Sequence, residues 1–507
     1  MARKGSPKVR TGCHTCKIRK VKCDESKPAC LRCTSTGRKC DGYPASPEQG
    51  LTWYRPSHLF QSIDQPVEGR ALQFFCENAG PLLSGPLDPY FWTHLVLQFS
   101  NFEPSVRHSV VAISSLYEDY HCRARTVAQL RNNDFALRHY NAAIENLREL
   151  NNEPLILLVC VLFVCIELLQ GNRDAAMQHI RHGIIILERI GASYPWTVEH
   201  LAPVFRRLSV FPLFFGSSVD TFPRPAGLDA PIPARFTTFS EAQYYMDAII
   251  CQASRLIRHG DPYRYGKLLN QPVDPRLLAW QLNLELSVND WYDSMADLNE
   301  RLGLKEEQDT AYCNAMLRYR LARSWARSAF EPNETAYDER LDDLKAIIDR
   351  AVQHSHRVPR IGSNGPRFTF EVGFVPFVIY ATMHCRDLRT RLRGLIWLRE
   401  CGTTRENLWE PERMYPICKR LVEIEHNIVL DKLDQPVGPV AWEQLPIEEM
   451  RSKDFSSSPD RVLHVDADGR KVWGSWANFV MRTREGKVWM LKEFLPRPAS
   501  VGDVLEE

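Results

Sequence analysis

The sequence predicts a mainly α-helical chain: a small cysteine-organised module at the N-terminus, a large all-helical region behind it, and a short β-hairpin near the C-terminus. Three observations carry this expectation. Six cysteines crowd between positions 13 and 40 of the 507-residue chain at a repeated spacing. From about Asp88 onward apolar residues recur at helical intervals, and two turn dipeptides, Asp468-Gly469 and Glu485-Gly486, separate β-favouring stretches close to the end.

The module comes first. Cys13, Cys16, Cys23, Cys30, Cys33 and Cys40 leave gaps of 2, 6, 6, 2 and 6 residues, so the last three repeat the first three at an offset of 17. No apolar signal segment follows "MARKGSPKVR", which places the chain inside the cell, where thiols stay reduced and a disulfide framework is disfavoured. One four-cysteine zinc site would leave two thiols idle. Two tetrahedral zinc ions need eight ligand positions, which six thiolates fill only if two of them bridge. The duplicated triplet makes Cys13 and Cys30 the natural bridges, and His14 a surface residue. A segment this short cannot bury enough apolar surface to fold alone, whereas structural zinc contributes on the order of 10 kcal/mol.

Charge is distributed unevenly. Twelve basic and three acidic residues precede position 46, a net +9, while the remainder carries 52 basic and 59 acidic residues, a net −7. A basic head on a mildly acidic body points to a polyanion at one end. The segment "KIRKVK" after Cys16 is expected to start a short helix that projects its cations outward.

"CHTCKIRKVKCDESKPACLRCTSTGRKC" resembles the fungal-type zinc binuclear cluster of DNA-binding transcription factors at every gap, including Pro28 in the joining loop. The resemblance implies double-stranded DNA as partner, a CGG-like triplet in the major groove, the transcription machinery of RNA polymerase II and action in the nucleus. By position, Arg19 and Lys20 match the family's base-reading pair, while Arg10, Lys17, Lys22 and Lys39 are placed for phosphates. Many family members continue into a dimerising coiled coil. Here prolines between Gly42 and Leu87 interrupt any heptad, which leaves monomer and homodimer both open.

The expected organisation is a basic disordered arm at 1–12, the cluster at 13–43, a linker at 44–70, a helical region at 71–450, and a linker with the hairpin element at 451–507. "LILLVCVLFVCI", Leu155 to Ile166, is shorter than the roughly 18 to 20 residues that cross a bilayer and reads as a buried helix, so no membrane partner is expected. "FALRHYNAAIENLREL" sets Leu137, Tyr140, Ile144 and Leu147 on one face. "DAAMQHIRHGIIILERI" sets Ala176, Ile180, Gly183, Ile184 and Leu187 on another. Thr238 and Glu241 form a capping box for a helix carrying Ala242, Met246, Ile249, Ala253 and Leu256, with Gly260 as its stop. Further helices are expected near 104–120, 275–300, 308–329, 335–357, 367–400 and 410–430, with irregular chain before Phe236 and a linker at "RSKDFSSSPDR", Arg451 to Arg461.

The order of apolar helices from "LQFFCENAGPLLSGPLD" to "HIRHGIIILE" resembles the helical regulatory domain that follows such clusters in a large fungal subfamily. That resemblance implies a small-molecule effector or contacts with the transcription machinery, activation rather than repression, and a role in specialised (secondary) metabolism. No tetratricopeptide-like period recurs, and no Walker loop, Rossmann glycine signature, Gly-x-Ser-x-Gly elbow or His-Glu-x-x-His helix is present, so no enzyme is expected. The nine other cysteines, Cys160 and Cys165 among them, and the isolated His121 and His384 read as core or surface groups. The competing reading is a zinc-binding scaffold or thiol-based sensor that does not read DNA.

Overall fold

Alternating caps and apolar stripes write most of the helices directly. The computed structural model describes residues 12–43, 66–85, 87, 89–122, 130–215, 217–355, 367–400, 404–458, 461–466 and 469–496. The chain divides into two compact units, Met1–Gln61 and Ser62–Glu507.

In the larger unit, helices Pro66–Phe74, Pro104–Cys122, Asp134–Glu149, Glu153–Leu169 and Arg173–Ile190 come first. Every residue from Leu157 to Leu169 is buried, as the apolar run required, with Asn152 accepting from Leu155 N at its start. No helix of the described residues is long and apolar enough to cross a membrane. The expected face of Arg173–Ile190 is the buried one. Gly183 is needed there, because a Cβ would stand 2.1 Å from the Phe205 ring. On Asp134–Glu149 the buried face is instead Ala136, His139, Tyr140 and Ala143, with Leu137, Ile144 and Leu147 only half-buried. The helix is rotated by about one residue because His139 turns inward to His108, Nδ1 to Nδ1 at 2.9 Å.

The second half is built on Phe239–Arg264, Pro275–Leu302, Thr310–Ser328, Leu341–Ser355, Val375–His384, Leu388–Glu400 and Pro411–His426. Thr238 accepts from Glu241 N at 3.1 Å, while the Glu241 carboxylate turns back to Thr237 N at 2.7 Å, so the box closes one residue early. Gly260 does not stop this helix, which runs on to Arg264. The glycine lets Ala329 cross it closely, since a Cβ would lie 1.6 Å from the Ala329 carbonyl oxygen. The stretch expected as one helix over 367–400 is broken into strand β1 (Arg367–Thr369) and two helices. β1 pairs in parallel with β2 (Thr404–Glu406). The Glu406 carboxylate beside it takes the N–H groups of Gly373, Phe374 and Val375 at 2.8 to 2.9 Å, which starts the next helix afresh.

The expected hairpin is part of a four-stranded antiparallel sheet. Central β5 (Lys471–Arg482) pairs with β3 (Asp454–Ser457), β4 (Val462–Val465) and β6 (Val488–Pro496). Gly469 and Gly486 take the positive φ of the two turns, and Asp468 lies outside the described residues. "RSKDFSSSPDR" is therefore not a linker: Arg451, Ser452 and Lys453 are buried and β3 follows. Its polar side chains have internal partners, Arg451 with Asp338 at 2.7 and 2.8 Å and Ser452 N with Glu425 at 2.9 Å.

Candidate metal centre and nucleic-acid interface

In the smaller unit each half of the cysteine repeat builds the same object. Cys13 is the N-cap of helix His14–Ile18 and its Sγ accepts from Cys16 N at 3.3 Å; Cys30 is the N-cap of Leu31–Thr34 and accepts from Cys33 N at the same distance. A thiol at the cap satisfies one of the donors that a helix start leaves open. Both helices also end alike. Val21 N returns to Cys16 O and Lys20 N to Lys17 O, while Arg38 N returns to Cys33 O and Gly37 N to Thr34 O, all at 3.0 to 3.1 Å. This is the Schellman closure, and it needs one left-handed residue. Gly37 supplies it in the second half at φ +64° and Lys20 in the first at φ +58°.

The sulfurs gather into two groups of four, Cys13, Cys16, Cys23 and Cys30, and Cys13, Cys30, Cys33 and Cys40. Cys13 and Cys30 belong to both, the pair that the duplicated spacing made the bridges. A zinc ion holding four thiolates at about 2.3 Å keeps its sulfurs about 3.8 Å apart. Here Cys13 to Cys30 and Cys16 to Cys30 are 3.6 Å and Cys13 to Cys33 is 3.8 Å. They match the edge of such a site, although Cys16 and Cys33, which belong to different groups, are also 3.8 Å apart, and all are far longer than a disulfide bond of about 2.05 Å. The residues fit two zinc ions, one for each group of four. Among the described residues, groups of this kind occur only in the head.

Burial pushes the Cys13 thiol up to about 12 and raises Cys16 and Cys30. Burial acts the same way on Cys23, but N–H groups of Cys13 and Glu25 outweigh it and leave Cys23 at about 7. Cys13, Cys16 and Cys30 thus ionise against a metal, and binding it releases protons.

Three side chains that spacing alone did not reveal lock the frame. Asp24 accepts from Leu31 N at 2.9 Å and Arg32 N at 3.0 Å, covering two open donors of the second helix, and those bonds with Ser26 hold its carboxyl well below the usual range. Thr15 bonds Asp41 at 2.8 Å, and Tyr43 donates to Ser26 O at 2.7 Å beside the cysteines. The acidic residue next to Cys23 was the available signal.

The cations do not sit as the sequence suggested. The helix starts before Cys16, at His14, and ends at Ile18, because the Cys13 thiol caps it and Lys20 closes it. Arg19, Lys20 and Lys22 therefore leave from the turn that follows, at the helix end whose dipole favours positive charge. Lys17, Lys20, Lys22 and Lys39 are exposed, as is His14. Half-buried Arg19 leans on Thr36 at 3.4 Å. Arg10 lies outside the described residues. At the offset of 17, Lys17, Arg19 and Lys20 correspond to Thr34, Thr36 and Gly37. At these three positions the first half carries cations and the second does not, though Lys22 is matched by Lys39.

Residues 11–49 match the fungal Zn(2)-Cys(6) binuclear cluster domain. The chain is similar to the aspercryptin biosynthesis cluster-specific transcription regulator atnN of Emericella nidulans, 26% identical over 68% of this chain and 63% of that one. It is also similar to the transcription regulator lscL of Purpureocillium lilacinum, 30% identical over 35% of this chain and 48% of the relative. With the transcriptional regulatory protein moc3 of Schizosaccharomyces pombe, identity is 36% over 18% and 19%. The chain spans less than two thirds of the length of each of these relatives. No solved structure matches. The head of this protein is thus a fungal Zn(2)-Cys(6) binuclear cluster domain, on a chain similar to fungal transcription regulators.

Proposed function

We propose that the protein is a sequence-specific, DNA-binding transcription regulator of RNA polymerase II genes, acting in the nucleus, with no enzymatic activity of its own. The observation that carries this reading is the pair of thiol groups sharing Cys13 and Cys30 in a head whose surface exposes Lys17, Lys20, Lys22, Arg32, Arg38 and Lys39. Cys13, Cys16, Cys23, Cys30, Cys33 and Cys40 hold two zinc ions. Arg19 and Lys20 enter the major groove and bond guanine O6 and N7 of a CGG-like triplet. Lys17, Lys22, Lys39 and Arg10 hold phosphates and set the salt dependence. The helical region from 71 to 450 regulates the head, and activation is the sign favoured by the resemblance. The name of the Emericella nidulans relative supports a place in specialised metabolism.

The test is a gel shift of the zinc-loaded full chain on CGG-containing and scrambled duplexes, alongside metal analysis. Two zinc ions per chain and a preference for CGG support the reading. Two zinc ions with no preference would favour the scaffold instead.

A further inference from the structure

The larger unit contains a partly open cavity of about 550 Å³ between helices Phe239–Arg264, Thr310–Ser328 and Val375–His384, rimmed by the chain at 211–215, 407–410 and 452–457. Close-packed interiors hold few voids larger than a water molecule, and ligand sites run from about 300 to 1,000 Å³. Rings dominate its wall, including Phe214 stacked on Trp325 at 5.1 Å, Phe215 edge-on to Trp409 at 5.1 Å, and Tyr380 edge-on to Trp325 at 6.1 Å.

The charges of the wall decide what it can hold. Arg207 is bonded to Glu371 at 2.7 and 2.9 Å and to Asp247 at 3.0 Å. Arg318 shares Asp247, Arg258 pairs with Asp261 at 2.9 Å, Arg264 shares Asp261, and Lys453 pairs with Glu448. Each of these cations has a carboxylate of the protein against it, and the other two arginines of the wall, Arg173 and Arg413, lie against Asp174 at 3.5 Å and the Ser458 carbonyl at 2.9 Å, so an anion seated on the buried cations would have to break one of these pairs. Two residues that line it each carry a buried polar atom with no hydrogen-bond partner among the described residues, the Asn407 side-chain oxygen and Arg264 Nε, and both atoms are closed off from the open space of the cavity. Asn407 is 2% exposed and its amide N–H₂ is held by the Phe370 carbonyl at 3.2 Å, which fixes the oxygen as the unused end. Buried polar atoms are normally satisfied.

We infer that this cavity binds an uncharged, ring-containing, mainly apolar small molecule. It would be the effector of the regulator, and only that regulatory consequence rests on the function proposed above; binding itself does not.

The test uses the zinc-loaded full chain titrated with Nile red, a neutral polycyclic carbonyl dye, and with the anion 8-anilinonaphthalene-1-sulfonate. One saturable, blue-shifted Nile red site per chain is expected, tighter than the anion. Met383→Trp and Leu408→Trp, each adding a ring to the wall from a different element, should each weaken Nile red by about tenfold or more with thermal unfolding unchanged. Absence of a saturable site, tighter binding of the anion, or undiminished binding in folded filled variants overturns the inference. The comparison of the two dyes on the unaltered chain decides the matter if both variants unfold. Loss of CGG preference with intact dye binding would refute the DNA reading and leave the cavity assignment standing.

Discussion

At the scale of single residues the head shows a trade between strain and function. Lys20 occupies the left-handed position that Gly37 fills in the twin half, and a side chain there costs about 1 kcal/mol that glycine does not incur. Lys20→Gly is expected to keep two zinc ions and to raise the unfolding midpoint of the head slightly, while CGG preference falls; calorimetry and gel shifts on one sample check both signs. His139 gives a pH prediction. Burial, then the neighbouring His108 and Arg138, lower it to about 4, with Glu68 facing it at 3.8 Å. Because the folded value lies below the unfolded one, the unfolded chain takes the proton first. Stability is present above about 6.5 and is lost as pH falls toward 4. The thermal midpoint should drop between pH 7 and 5, and His139→Gln should flatten that drop. The ligands were legible because a duplicated spacing is a chemical count; Lys20's backbone was not, since lysine carries no signal for positive φ.

Elements were legible where one face was apolar and both ends were capped, as in Arg173–Ile190 with Asn172 as its cap. They were misread where tertiary contact overrode local signals. Gly260 looks like a terminator in sequence, yet it is the crossing point of Phe239–Arg264 with Ala329. Gly260→Ala should therefore destabilise the body by about 2–4 kcal/mol in denaturant unfolding, although alanine is the better helix former. A gain in stability would show that Gly260 acts as a stop after all. The segment at 451–457 failed differently: its serines and charges resemble solvated chain, and only Asp338, Glu425 and β5 across the fold reveal that they are internal partners.

At the scale of the whole molecule, two units fold by different means. The body has an apolar core with thiols such as Cys160, Cys165 and Cys251 acting as buried side chains, whereas the head is held around its ligands. Stripping zinc with a chelator should abolish CGG binding while far-UV dichroism keeps most of its helical signal; collapse of that signal would mean that the body depends on metal. The basic head and helical body could be read from charge and periodicity, but the cavity could not, because its rings come from segments hundreds of residues apart. The shared thiols carry one more consequence. Once Cys13 and Cys30 are fixed by a first ion, the second coordination sphere is half assembled, so loading is expected to be concerted. Native mass spectrometry during titration would then pass from metal-free protein to protein carrying two zinc ions with little in between, and promoter occupancy would follow zinc supply as a threshold instead of a slope.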